Sequence, residues 1–136
     1  MNLEDVAAEL STALSTISGL RRPPWGVEKI SPPAAIIPLP DRITYDFSGY
    51  GRGVDRYEDL AVIVLVANPT QRTSRRQVAA YTDGSGAKSV KAAIEAHTYT
   101  ACDTVRVAWA EFDVVKYAGT DYLAAIFHLD IVGKAA

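Results

Sequence analysis

Cysteine occurs once in these 136 residues, as Cys102, and histidine twice, as His97 and His128. That supply excludes a disulfide framework and a structural zinc site, which takes about four soft ligands. The first ten residues hold Glu4, Asp5 and Glu9 and no basic stretch leading into an apolar one, so no secretory signal is expected. The longest strongly apolar run, residues 60–67, falls far short of the roughly 20 residues a membrane span needs. Neither sign of charge dominates: 14 Lys+Arg stand against 16 Asp+Glu, a net charge of −2. A dedicated nucleic-acid binder is usually strongly basic, and this balance argues against one. The lone cysteine suits a reducing compartment, and the expectation is a soluble chain made in a cytoplasm.

What the chain does have is apolar residues, 49% of the total, with 22% charged. A single domain of this size buries roughly 70% of the surface its unfolded chain exposes, enough for a core without metal or disulfides. This composition excludes a disordered tail and a collagen-like rod.

The pattern opens on a helix predicted over 3–18. Asn2 is a good cap, Glu4 and Asp5 suit the positive end of the helix dipole, and Gly19 is a natural stop. Leu3, Val6, Leu10, Leu14 and Ile17 form one apolar stripe, to pack on a sheet or on a neighbouring subunit. Six of the seven prolines follow between 23 and 40, which forbids helix and excludes a central strand. The apolar 34–37 segment between them reads as a short edge strand, and Trp25 as a core cover or a recognition aromatic. Residues 45–56, Tyr-Asp-Phe-Ser-Gly-Tyr-Gly-Arg-Gly-Val-Asp-Arg, read as a mobile exposed loop.

A mostly β-branched strand is predicted over 57–68. Leu60, Val62, Val64 and Val66 lie on one face and Ala61, Ile63 and Leu65 on the other, so both faces are expected to be covered. Two short helices follow, one over 74–81 with Ser74 and Gln77 in capping-box spacing, the other over 87–97. Ser85, in the Asp-Gly-Ser-Gly turn, is placed to begin the second. The last third reads as a long hairpin, 104–117 and 121–132, joined across Ala118, Gly119 and Thr120. Val105, Val107 and Trp109 share one phase, Phe112 and Val114 the other, which calls for a β-bulge near Ala110 and Glu111. Fourteen strand residues span roughly 46 Å, against a domain diameter of roughly 36 Å. Such a hairpin must bend or project, and a projecting apolar arm wants a partner.

No catalytic constellation emerges. The three glycines at 49, 51 and 53 precede a strand rather than a helix, so they cannot hold a phosphate on a helix N-terminus. His128, on a strand beside Leu129 and Asp130, reads as a hydrogen-bonded structural residue, and His97 as a helix end favoured by the dipole. Cys102 has no neighbouring base, and Ser85 lacks the strand-to-helix elbow of a nucleophilic serine. Arg72, Arg75 and Arg76 sit at the wrong end of a helix for positive charge, as a solvated face or against acidic side chains or a DNA backbone.

The ordered features carry a resemblance. An amphipathic helix leads into Pro-Ala-Ala-Ile-Ile; Gly-Arg-Gly-Val-Asp-Arg precedes a strong strand; Tyr-Thr-Asp-Gly-Ser-Gly-Ala-Lys-Ser-Val precedes a short helix; the closing hairpin carries Gly-Thr-Asp-Tyr-Leu-Ala-Ala. Over nearly its whole length the chain resembles the tail terminator proteins of long-tailed phages, especially those infecting actinobacteria. The resemblance implies one α+β domain over 1–136: a mixed or antiparallel sheet with a long C-terminal hairpin, flanked by an N-terminal helix and two short helices. It further implies a non-enzymatic virion protein without cofactor, metal or membrane association. Copies would form a hexameric ring at the head-proximal end of the tail, assembled in the host cytoplasm. That ring caps the tail tube, ends its polymerisation and joins the tail to a neck or head-completion protein. DNA would pass through its lumen without sequence-specific binding. Tyr50, Arg52, Asp55 and Arg56 are the expected contact residues, because they place charge on a mobile loop beside a strand apolar on both faces. Two other readings stay open: another head–tail connector or tail-completion component, and a small enzyme or ligand-binding α+β domain.

Overall fold

The structure, a computed structural model, describes residues 2–22, 31–45, 55–67 and 69–133. Its first element is α1 (Leu3–Leu14), opened by Asn2, whose side-chain oxygen accepts from the backbone N–H of Glu4 and Asp5 at 2.9 and 3.2 Å. The helix stops one turn before the predicted end. The hydroxyls of Ser15 and Thr16 bond back to the carbonyls of Thr12 and Ala13, and tighter backbone bonds close the last turn. Gly19, at φ +82°, turns the chain away.

Five strands make one sheet: β1 (Ala34–Ile36), β2 (Arg42–Thr44), β3 (Arg56–Leu65), β4 (Thr104–Tyr117) and β5 (Thr120–Val132). All four strand pairings are antiparallel, and β1 and β2 both line one side of β3, so the order across the sheet is β1 and β2, β3, β5, β4. The expected α+β architecture holds, hairpin included. A parallel bridge from Arg21 to Ala34 extends the sheet past β1. β2 is an addition that the pattern did not predict, since three half-exposed residues carry no periodicity.

Between β3 and β4 lie α2 (Arg72–Thr82) and α3 (Val90–Ala96). α2 starts two residues earlier than expected. Its cap is Gln71 without a side-chain bond, and Ser74, expected to begin a capping box, is buried in the first turn. For α3 the cap is Ser89, not Ser85: the Ser89 hydroxyl accepts from Ala92 N–H at 3.1 Å, while Ser85 N–H donates to Asp83 in a local turn. No helix among the described residues is long and apolar enough to cross a membrane.

The helices cover one face of the sheet. Val6, Leu10, Leu14 and Ile17 meet Leu60, Val62, Val64, Phe127, Leu129 and Ile131 there, all nearly inaccessible. So the α1 stripe packs on the sheet of its own chain. A smaller cluster of Ile36, Leu65 and Ala124, flanked by Ile63, Val115, Tyr117 and Tyr122, occupies the opposite face near the hairpin tip.

Candidate assembly interface

The hairpin turn is built from two residues, Ala118 and Gly119, at φ +51° and +82°. Positive φ at both centres is the type I′ geometry, whose twist matches that of the flanking strands. Register is thereby fixed from Tyr117 opposite Thr120 down to Thr104 opposite Val132.

One irregularity interrupts β4, between Val107 and Trp109, where Ala108 is the extra residue. This lies two residues before the position that side-chain phase predicts. Counting Trp109 with Val105 and Val107 misplaces it; the bulge turns Trp109 onto the opposite face and brings Ala110, Phe112 and Val114 into line with Val105 and Val107. At its root β4 buries Val105 and Val107 beneath α3, where Val107 N–H donates to Glu95 at 3.0 Å. Beyond the bulge, residues 108–114 are exposed on both faces, and Trp109, Phe112 and Val114 are 52%, 58% and 49% accessible. A long edge strand without proline, carrying aromatic and β-branched residues, is a ready template for another chain.

A second bulge lies almost level with the first. On β3, Glu58 and Asp59 together oppose Asp130, and Asp59 takes φ +57°, rare for a side chain other than glycine. Level with these two bulges, the face away from the helices gathers its polar groups. Trp109 lies flat on His128, with ring centroids 3.7 Å apart and 7° between planes. Asp59 pairs with His128 Nδ1, and Glu111 lies 3.4 Å from Nε2. His128 is thus held between two carboxylates under an indole, an elaboration of the hydrogen-bonded structural role expected of it. Two hollows among the described residues, of about 440 and 450 Å³, are lined by other residues. No group of three or more metal-ligating side chains converges among the described residues.

Of the loop residues singled out in the sequence, Tyr50 and Arg52 lie outside the described residues, as does Trp25. Asp55 immediately precedes β3 and Arg56 begins it. The Asp55 carbonyl accepts from Gly133 N–H at 2.8 Å. Arg56 forks onto Asp130, Nε to Oδ1 at 2.7 Å and Nη2 to Oδ2 at 3.0 Å, and approaches Glu58 at 3.7 Å. Arg42 and Thr44 also bond Glu58, and the Arg42 guanidinium, with the Thr44 hydroxyl second, holds that carboxyl below its ordinary range. The network ties β2, β3 and β5 together, so Arg56 is engaged within its own subunit. The hairpin that the sequence marks as a projecting apolar arm is exposed beyond the bulge, where Trp109, Phe112 and Val114 concentrate apolar surface on the edge of β4.

His97 caps the C-terminal end of α3, edge-on to Tyr99 and 3.9 Å from Glu9. Cys102 is buried. Arg72, Arg75 and Arg76 are exposed on the first turns of α2. No family model, curated protein or solved structure matches this chain.

Proposed function

We propose that this protein is a structural subunit of a phage tail, assembling with copies of itself into a ring that caps the tail tube and joins it to the neck. The observation that carries this reading is the outer half of β4, exposed on both faces with Trp109 on one and Phe112 and Val114 on the other, although it belongs to a well-packed domain. Monomers rarely leave such a strand bare, because unpaired backbone groups beside greasy side chains invite another chain. The resemblance to tail terminators supplies the identity of the assembly, the ring number of six, the tube and neck partners, and the place in the virion. Growth would stop because the ring matches the last tube ring on one side and offers the next tube subunit no complementary patch on the other.

Electron microscopy of the purified protein, alone and mixed with tail tubes, tests this. Rings on tube ends, with tube length limited when the protein is present during polymerisation, are the expected result. A protein that stays monomeric and leaves tube length unchanged overturns the reading.

A further inference from the structure

The free edge of β4 has a polarity that specifies its partner. In a two-residue hairpin the residues flanking the turn, Tyr117 and Thr120, exchange both backbone bonds, and the pattern alternates down the ladder. Tyr117, Val115, Asp113, Glu111 and Trp109 therefore turn their N–H and C=O groups toward β5. Ala110, Phe112, Val114 and Lys116 turn theirs outward. One outward donor is already occupied: Asp113 Oδ1 accepts from the Val114 N–H at 2.8 Å. A carboxylate folded onto its own strand edge guards that edge against indiscriminate pairing.

The charges also weigh against pairing two copies of this edge through the middle of the arm. Antiparallel self-pairing centred on Glu111, Phe112 or Asp113 sets Glu111 on Glu111, Glu111 on Asp113, or Asp113 on Asp113. Like charges directly opposite destabilise a strand pair. The opposite margin of the sheet is basic. Arg21 and Arg22 are exposed where the chain bridges to β1, their guanidiniums resting on backbone carbonyls, whereas Arg42 on β2 is already paired with Glu58 beside Asp41. Arg106 and Lys116 flank the acidic pair on β4 without falling between Glu111 and Asp113. A head-to-tail contact between unlike edges is the kind that closes rings.

We infer that a second copy of this chain docks its Arg21 and Arg22 margin against residues 110–116 of β4, with Asp113 exchanging the Val114 amide for an incoming arginine. This deepens the ring reading above and rests on it. The exchange uncovers the Val114 N–H when, and only when, a cationic edge arrives. The wrong partner meets a blocked donor and the right one opens it.

A charge swap tests the pairing. The double variants Glu111→Lys/Asp113→Lys and Arg21→Glu/Arg22→Glu are each expected to sediment as monomers under conditions where the wild type associates. Mixed in equal amounts they should restore the assembly, because every interface then joins a basic edge to an acidic one. Circular dichroism melts establish that each is folded. Should a reversal variant fail to fold, the milder Glu111→Gln/Asp113→Asn is used, with association expected to weaken roughly tenfold. Reversal variants that associate like the wild type, a mixture that stays monomeric, or unchanged association of the neutral variant overturns this pairing while leaving the ring intact. A wild type that associates neither with itself nor on tail tubes overturns the ring and the pairing together.

Discussion

Trp109 is stacked face to face on His128, directly across the β4–β5 ladder, and the two bulges that surround this pair lie level with it. The stack fastens the start of the exposed arm to the sheet at the point where its inner face loses helical cover. Trp109→Ala is expected to lower stability in urea by about 0.5–1.5 kcal/mol beyond the area lost, the range for a well-placed aromatic pair. His128→Ala should cost a comparable amount, and the double variant less than the sum of the singles.

Asp59 and Ala118 both hold positive φ, for opposite reasons. Asp59 gains the His128 contact in return, whereas Ala118 gains only the turn. Ala118→Asn, which makes the favoured Asn-Gly pair, should raise stability by about 0.5–1 kcal/mol. Asp59→Asn keeps a residue tolerant of this backbone and should unfold at higher urea than Asp59→Ala, which combines strain with a lost partner. Chemical denaturation of the three variants beside the wild type checks both expectations.

Burial separates two kinds of apolar substitution. Val64 is inaccessible at the centre of β3, so Val64→Asp should destabilise by several kcal/mol and leave the chain unfolded. Phe112→Ser and Val114→Ser remove exposed side chains and should change stability by about 0.5 kcal/mol or less. Ring formation and tube capping should nevertheless fail in both. Circular dichroism paired with sedimentation distinguishes the two outcomes.

Acid should loosen the join between α1 and the segment entering β4. Burial pushes the Glu9 carboxyl up, but the backbone N–H groups of Ala101 and Thr100, with the Thr100 hydroxyl, outweigh it and hold the group below its ordinary 4.5. Its folded value is depressed, so its contribution is present above the unfolded value and is lost as pH falls through the folded one. Glu9→Gln should therefore be less stable than the wild type at neutral pH, with the gap narrowing below about pH 4.5. Melting temperatures from pH 7 to 3 measure this.

Much of this fold is legible in the sequence because its signals are local. Asn2 with Glu4 and Asp5 marks the helix start, prolines bracket β1, and β5 alternates without interruption from Leu123 to Ile131. The errors arise where an interaction partner decides. Ser15 and Thr16 end α1 through their hydroxyls, which helix periodicity does not reveal. Ala108, not Ala110, is the extra residue in β4 because the ladder to β5 sets the bulge, and Ala can serve either face. The His128 cluster joins residues 59, 109, 111 and 128 from three strands, and no linear spacing could have brought them together. Arg56, a charged residue after a glycine-rich stretch, forks onto Asp130, a partner 74 positions away that no local pattern reveals.

Because a single added alanine at 108 divides β4, its two halves answer to different structural demands. Val105 and Val107 are tied to the interior, whereas Ala110, Phe112 and Val114 can vary with little effect on whether the subunit folds. The surface that the arm presents can thus be changed residue by residue while the body that carries it stays as it was.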